Sequence, residues 1–177
     1  MQPGEPSPRL QNQKQYLELL NNLLNDNNLI SDPKQLFQLI ELSEHKGKIV
    51  GWQILNKEIK FATADIIDCD ESALLDGDRY IIRFFSYHFN PSTNSQLFSY
   101  RIDSEQGDLH LNPDLSLISQ YGDHISPDQL YLDINNFNCV LAIQLALMYI
   151  IRCIYPAEPQ ASEEYNNALN GIRRKLG

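Results

Sequence analysis

The residues of this chain best suited to chemistry are three histidines, an arginine and an aspartate near its middle. They are His88, Arg101, Asp103, His110 and His124. Histidine transfers protons near neutral pH, arginine neutralises phosphate charge, and a carboxylate can orient a histidine ring. Cleavage of RNA without a metal needs a base for the 2′-hydroxyl, an acid for the leaving oxygen and a cation for the developing phosphate charge. These five residues could fill all of those roles.

The same residues also fit a structural interpretation. Arg101 and Asp103 can form a cross-strand salt-bridge network, and His88 can be an ordinary polar residue of the surface. Catalytic faces and structural ion pairs resemble each other at the level of sequence, so both interpretations stay open at this point.

Two strand-like runs carry the first three of these residues. Residues 79–89 and 96–103 are rich in aromatic and β-branched residues and flank the turn-forming sequence NPSTNS, which predicts an antiparallel hairpin. We expect Phe89 to pair with Gln96. On that pairing one face carries Ser86, His88, Ser99, Arg101 and Asp103. The other face is apolar and meets the core, with Phe85, Tyr87, Phe89, Phe98, Tyr100 and Ile102.

A short repeat follows the hairpin, HLNPD at residues 110–114 and HISPD at residues 124–128. One interpretation is turn-and-cap chemistry, with Ser126 as a helix cap, Pro127 at the first helical position and Gln129 completing a capping box. The other is that His110 and His124 turn toward the polar face of the hairpin. The sequence leaves both open.

Neither the acidic residues nor the cysteines predict a metal site. Six acids lie within residues 65–78, but their spacing matches no EF-hand loop, and a solvated acidic turn is the favoured interpretation. The three cysteines include no CxxC pair and are odd in number, which argues against a zinc site and a disulfide framework. We therefore expect no cofactor, and a cytoplasmic protein with neither signal peptide nor membrane span.

The hydrophobic pattern predicts an α+β fold. We expect a helix over residues 12–25, a short helix running into a strand over 31–47, strands at 48–55, 57–62 and 65–69, and a last helix over 162–176. With the hairpin this gives an antiparallel sheet of about five strands with flanking helices. Residues 1–10 read as a disordered leader, 11–155 as one domain, and 156–177 as a linker and C-terminal helix.

Gly51, inside the predicted strand 48–55, indicates a bulge or a close backbone approach.

A long apolar helix is expected over residues 136–155. The helix has two apolar stripes, and one sheet face covers only one of them. The second stripe contains Leu141, Leu145 and Met148, and we expect it to bind another chain. That chain is an antitoxin, a subunit of a larger assembly or a second copy of this protein.

Around the hairpin the sequence resembles the TumE-like toxin family of prokaryotic toxin–antitoxin systems. The segment GWQILNKEIKF is similar to the family's early strands, and SYHF (residues 86–89) and FSYRID (residues 98–103) resemble its Tyr-His and Arg-Asp strands. The resemblance implies an RNA-damaging toxin with a protein partner. Ile102 stands where the family has a tyrosine, and isolated His110 and His124 stand where it has adjacent histidines, so the site of this member is either active or degenerate.

Two classes of function follow. The first is a toxin-like protein of a toxin–antitoxin or defence module that acts as a metal-independent ribonuclease. The second is a non-catalytic subunit or interaction protein of a larger nucleoprotein or defence assembly. The formal net charge of −9 disfavours sequence-independent binding of phosphate backbones without excluding an enzyme that acts on RNA.

Overall fold

The computed structural model describes residues 9–10, 13–104 and 108–176, and these fold into one antiparallel sheet with helices on one face. The strands are β1 (Arg9–Leu10), β2 (Glu41–His45), β3 (Lys48–Lys60), β4 (Ile66–Asp76), β5 (Arg79–Asn90), β6 (Tyr100–Asp103) and β7 (His110–Pro113). The helices are α1 (Gln13–Asp26), α2 (Leu36–Leu39), α3 (Ile118–Tyr121), α4 (Cys139–Arg152) and α5 (Gln160–Leu176). The strand order is β2-β3-β4-β5-β6-β7, with β1 pairing beside β5.

The predicted α+β class is confirmed, and the described residues form seven strands where the sequence predicted about five. The runs 48–55 and 57–62 are one strand, β3, interrupted by a bulge between Ile54 and Lys57. Residues 1–8 of the expected leader lie outside the described residues, whereas Arg9 and Leu10 pair with β5. The short helix α2 runs into strand β2, as the pattern of residues 31–47 predicted.

The acidic segment 65–78 is a strand, so the predicted acidic turn is wrong. The run alternates, with Ile67, Cys69 and Ala73 pointing into the core while Asp68 and Asp70 are only half-buried on the other face. Asp68 and Asp70 are two residues apart, which is the period of a strand with one solvent-facing side, and a count of charges does not show that period.

Helix α4 is buried on more sides than the sequence predicted. It begins after the cap Asn138, whose side chain accepts a hydrogen bond from the Leu141 amide, and ends at Cys153 in the left-handed conformation. The sheet covers one side of α4, while α1 and α5 pack on others. Leu141 and Leu145 are 0% exposed and Met148 is half-buried, so the expected exposed stripe for a partner is wrong.

The extra cover comes from the helices at the two ends of the chain. Each turns a set of large side chains inward, Tyr16, Leu20 and Leu24 from α1 and Tyr165, Leu169 and Leu176 from α5. The cover that α1 and α5 give to α4 takes the place of the predicted partner chain. Among the described residues no helix combines the length and the hydropathy that a membrane span requires.

Gly51 allows β3 and β4 to approach closely, and replacing it with alanine should destabilise the fold. A Cβ atom at Gly51 would lie 2.5 Å from the carbonyl oxygen of Ala73, a backbone atom that cannot move aside alone. We expect Gly51→Ala to lower the free energy of unfolding by about 1–3 kcal/mol, the usual effect of overpacking.

Gly171 provides the matched control for Gly51. It lies inside α5, and a Cβ atom there meets nothing within 4 Å. Gly171→Ala should therefore raise the free energy of unfolding by about 0.5–1 kcal/mol. Urea denaturation of both variants measures the two changes, and equal effects would contradict the close approach at Gly51.

Candidate functional site

The hairpin of β5 and β6 forms with a different register from the one predicted. Phe89 lies opposite Tyr100 rather than Gln96, a shift of four residues, and His88 lies opposite Arg101. Because four is an even number, the shift leaves every paired side chain on its predicted face. Phe98 precedes β6 and is exposed, so its assignment to the core is wrong.

Polar residues form two parallel rows across the face of the sheet that lies opposite α4, which we call the outer face. The first row crosses β3 to β7 as Glu58, Asp68, His88, Arg101 and Asn112. The second crosses β4 to β7 as Asp70, Ser86, Asp103 and His110. Antiparallel pairing thus brings His88, Arg101, Asp103 and His110 close together from three strands.

Asp103 is the centre of this arrangement. Its side chain is 0% exposed, with Oδ2 lying 2.6 Å from Nε of Arg101 and Oδ1 lying 3.1 Å from Nε2 of His110. Nδ2 of Asn112 also donates to Oδ2 at 3.0 Å. A buried carboxylate is tolerated only with such partners, and in return it fixes the positions of the arginine and the histidine.

His110 has hydrogen-bond acceptors on both sides of its ring. Nε2 faces the Asp103 carboxylate, and Nδ1 lies 2.8 Å from the carbonyl oxygen of Asp108. Acceptors on both sides of the ring fix its orientation.

The two copies of the repeat pair with each other. Leu111 and Ile125 exchange two backbone hydrogen bonds of 2.9 Å, and the rings of His110 and His124 lie 4.8 Å apart. The capping interpretation is confirmed as well, because Ser126 and Gln129 form a capping box. Both interpretations of the repeat hold, and His124 joins the other four residues. We call His88, Arg101, Asp103, His110 and His124 the histidine–arginine cluster.

His124 is the most accessible member of the histidine–arginine cluster. Its Nδ1 lies 2.8 Å from the carbonyl oxygen of Asp123, which accepts the proton on that nitrogen. Nε2 has no hydrogen-bond partner among the described residues, and the side chain is exposed. Nε2 of His124 is therefore available to exchange a proton with a bound molecule.

His88 has a shifted proton affinity. Burial lowers its pKa below the ordinary value of 6.5, the nearby Arg101 guanidinium lowers it further, and Asp68 opposes the shift. Burial and the Glu58 carboxylate in turn raise the pKa of Asp68. His88 is therefore neutral at pH 7, which is the form that accepts a proton.

The shift at His88 can be measured directly. We expect a proton NMR titration of the folded protein to give a His88 pKa below 6.5, because the uncharged form is favoured by burial and by Arg101. Asp68→Asn removes the opposing carboxylate and should lower that pKa further, whereas Arg101→Ala should raise it. Shifts of the opposite sign in both variants would contradict this account of the site.

The core contains a group of hydrogen bonds centred on Glu71 that was not predicted from the sequence. Its carboxylate is 0% exposed and accepts hydrogen bonds from Tyr16, Trp52, Tyr87 and the backbone N–H of Cys139. The sequence did contain a signal for the burial of these acids. Asp65 and Glu71 are an even number of residues from Ile67, Cys69 and Ala73, so in a strand they share the face of those core residues. Acids at odd positions of that run point inward, and both are buried.

No group of three or more histidine, cysteine or acidic side chains in the described part of the chain is arranged to hold a metal ion. Comparisons of the chain with models of protein families, with curated proteins and with solved structures found no match. A function can therefore be inferred only from the geometry of the histidine–arginine cluster and from the sequence.

Proposed function

We propose that this protein is a toxin-like ribonuclease of a toxin–antitoxin or defence module, acting through the histidine–arginine cluster. The observation that carries the proposal is that Arg101 and His110 both contact the buried carboxylate of Asp103, while His88 lies opposite Arg101 and the ring of His124 lies beside that of His110. A sheet face that needed only solubility would not require a buried aspartate to fix an arginine and a histidine. The resemblance of SYHF and FSYRID to the toxin family supports the same function.

The cluster supplies each proton transfer that the reaction needs. Neutral His88 takes the proton from a ribose 2′-hydroxyl, and the 2′-oxygen attacks the phosphorus. The bond from phosphorus to the 5′-oxygen breaks, and protonated His124 gives its Nε2 proton to that oxygen. Arg101 stabilises the charge on the phosphate oxygens during the transfer. Asp103 and His110 are positioning residues that hold Arg101 and the ring of His124 in place.

A competing function is that of a non-catalytic interaction protein. It is favoured by the internal pairing of the cluster, because both oxygens of Asp103 and both ring nitrogens of His110 already have partners within the chain. In that case the cluster stiffens the sheet and the chain works by binding another protein.

Inducible expression in a bacterial host separates the two functions. We expect the wild type to arrest growth and degrade RNA, and the double variant Arg101→Ala/His124→Ala to do neither at equal protein level. His45→Ala is the control, because His45 is exposed on β2 and lies outside the cluster. Growth and RNA that stay unchanged with the wild type would favour the interaction protein.

A further inference from the structure

Three exposed apolar side chains lie together on the outer face of the sheet. Leu55 and Leu74 are each 52% exposed, and Phe84 is 37% exposed. They alternate along their strands with the core residues Ile54, Ala73 and Phe85. Single exposed apolar residues are common on protein surfaces, but a contiguous group of them marks a place where something binds. We call these three residues the leucine–phenylalanine patch.

The leucine–phenylalanine patch has one residue on each of three neighbouring strands. Phe84 on β5 lies opposite Ser72 on β4, and Leu74 is two residues further along β4 on the same face. Leu74 in turn lies opposite Gly51 on β3, and its Cδ2 atom comes within 3.1 Å of the position that a Cβ of Gly51 would occupy. The missing side chain at Gly51 thus lets Leu74 extend over β3.

The patch adjoins the histidine–arginine cluster. Leu55 belongs to the bulge of β3 that lies opposite Asp70, and the row from Asp70 continues through Ser86 to Asp103. Phe84 is two residues from Ser86, or about 7 Å along β5. A molecule bound on the patch is therefore within reach of the cluster.

The charges near the patch favour a basic occupant. Glu58, Asp68 and Asp70 lie on the same face, on the β3–β4 side, and Arg83 is already 3.5 Å from Asp76. The whole chain has a formal net charge of −9. Carboxylates repel the phosphates of a nucleic acid and repel the same face of a second copy, whereas they attract lysine and arginine. Aliphatic leucines also suit apolar side chains better than they suit stacked bases.

We propose that the leucine–phenylalanine patch binds a basic segment of a partner protein, whose apolar side chains cover Leu55, Leu74 and Phe84. Its lysines and arginines meet the carboxylates of β3 and β4. Because the patch adjoins the cluster, the bound segment closes the approach to His88 and Arg101. The binding surface stands independently, while this inhibition depends on the ribonuclease function proposed above.

A random peptide library displayed on phage and selected against the full chain tests the proposal, because the selection does not require the partner to be identified. We expect the selected peptides to be rich in lysine or arginine together with apolar residues. Calorimetry on the synthetic peptides should show binding at least about tenfold weaker to Leu55→Ser/Leu74→Ser than to the wild type. Phe37→Ser is the control, since Phe37 is 77% exposed on α2, a helix that packs on α1, and this variant should bind like the wild type.

Four outcomes would overturn the proposal. The first two are that the selected peptides are acidic or uncharged, or that they bind the patch variant as tightly as the wild type. The other two are that the wild type binds oligouridylate, or forms a dimer in light scattering, and that the patch variant does not. The same peptides are added to an RNA-cleavage assay, where they should slow the wild type and not the patch variant. Wild type that binds peptides at the patch but cleaves no RNA would refute the ribonuclease function alone.

Discussion

Glu71→Gln is expected to lower the free energy of unfolding by about 2–3 kcal/mol, near the upper end of the usual cost of leaving a buried hydrogen-bond donor without a partner. The carboxylate is fully buried and receives the hydroxyls of Tyr16 and Tyr87 at 2.5 and 2.6 Å and the indole N–H of Trp52 at 2.7 Å. Glutamine has the same size but replaces one acceptor oxygen with an N–H₂ group, so either the indole N–H of Trp52 or the backbone N–H of Cys139 loses its acceptor.

The position of Glu71 explains why the effect should be large. Its partners come from α1, β3, β5 and the first turn of α4, where the Cys139 amide donates at 2.8 Å. Burial, followed by the Glu71 carboxylate, raises the pKa values of Tyr16 and Tyr87, so both hydroxyls keep the protons that they donate. One side chain thus links the sheet to two helices.

Urea denaturation of Glu71→Gln and Asp78→Asn tests this prediction. Asp78 lies in the same acidic segment, is exposed and loses the same charge, and its replacement should change the free energy of unfolding by less than about 0.5 kcal/mol. A Glu71→Gln protein as stable as the Asp78→Asn protein would mean that the buried carboxylate does not hold the helices to the sheet.

Arg101→Ala and His88→Ala are each expected to lower the rate of RNA cleavage about a hundredfold or more. Loss of a positioned base or of a group that stabilises transition-state charge commonly has that effect. Both side chains are half-buried. His88→Ala should leave the folded state intact, whereas Arg101→Ala removes a partner of the buried Asp103 and should also lower the stability of the protein. His45→Ala should retain the full rate.

Circular dichroism and thermal unfolding must accompany the rates, because Arg101 also pairs with the buried Asp103. Arg101→Lys keeps a positive charge near Asp103 and should recover part of the lost rate. Cleavage that persists in Arg101→Ala and His88→Ala at the wild-type rate would remove both residues from the reaction.

The faces of the central strands could be predicted from the sequence, because alternation in Phe85, Tyr87 and Phe89 leaves one arrangement that buries them. The register could not. The turn extends to Ser99 because tertiary contacts hold it: the Phe98 amide donates to the Tyr149 hydroxyl on α4, and Ser99 bonds Asp114. No pattern within the hairpin itself encodes those partners.

The environment of α4 and the role of Glu71 also could not be predicted from the sequence, because both depend on residues that are far apart in the chain. The apolar surface of α4 predicts that the helix is covered but does not say by what, and α1 supplies part of that cover. Glu71 binds residues far from it in the chain, such as Tyr16 and Cys139, and only the folded chain brings them together. In contrast, the capping box of Ser126 and Gln129 could be predicted from the repeat, because its residues are neighbours in the chain.

The most direct test of the proposed activity is the chemistry of the ends left by the purified protein on a single-stranded RNA oligonucleotide in the presence of EDTA. Attack by the 2′-hydroxyl with His88 as base predicts a 2′,3′-cyclic phosphate or 3′-phosphate on one fragment and a 5′-hydroxyl on the other, detected by mass spectrometry. A 2′-deoxy substitution at the cleaved nucleotide should block the reaction. Intact RNA, or fragments that end in a 3′-hydroxyl and a 5′-phosphate, would contradict the account.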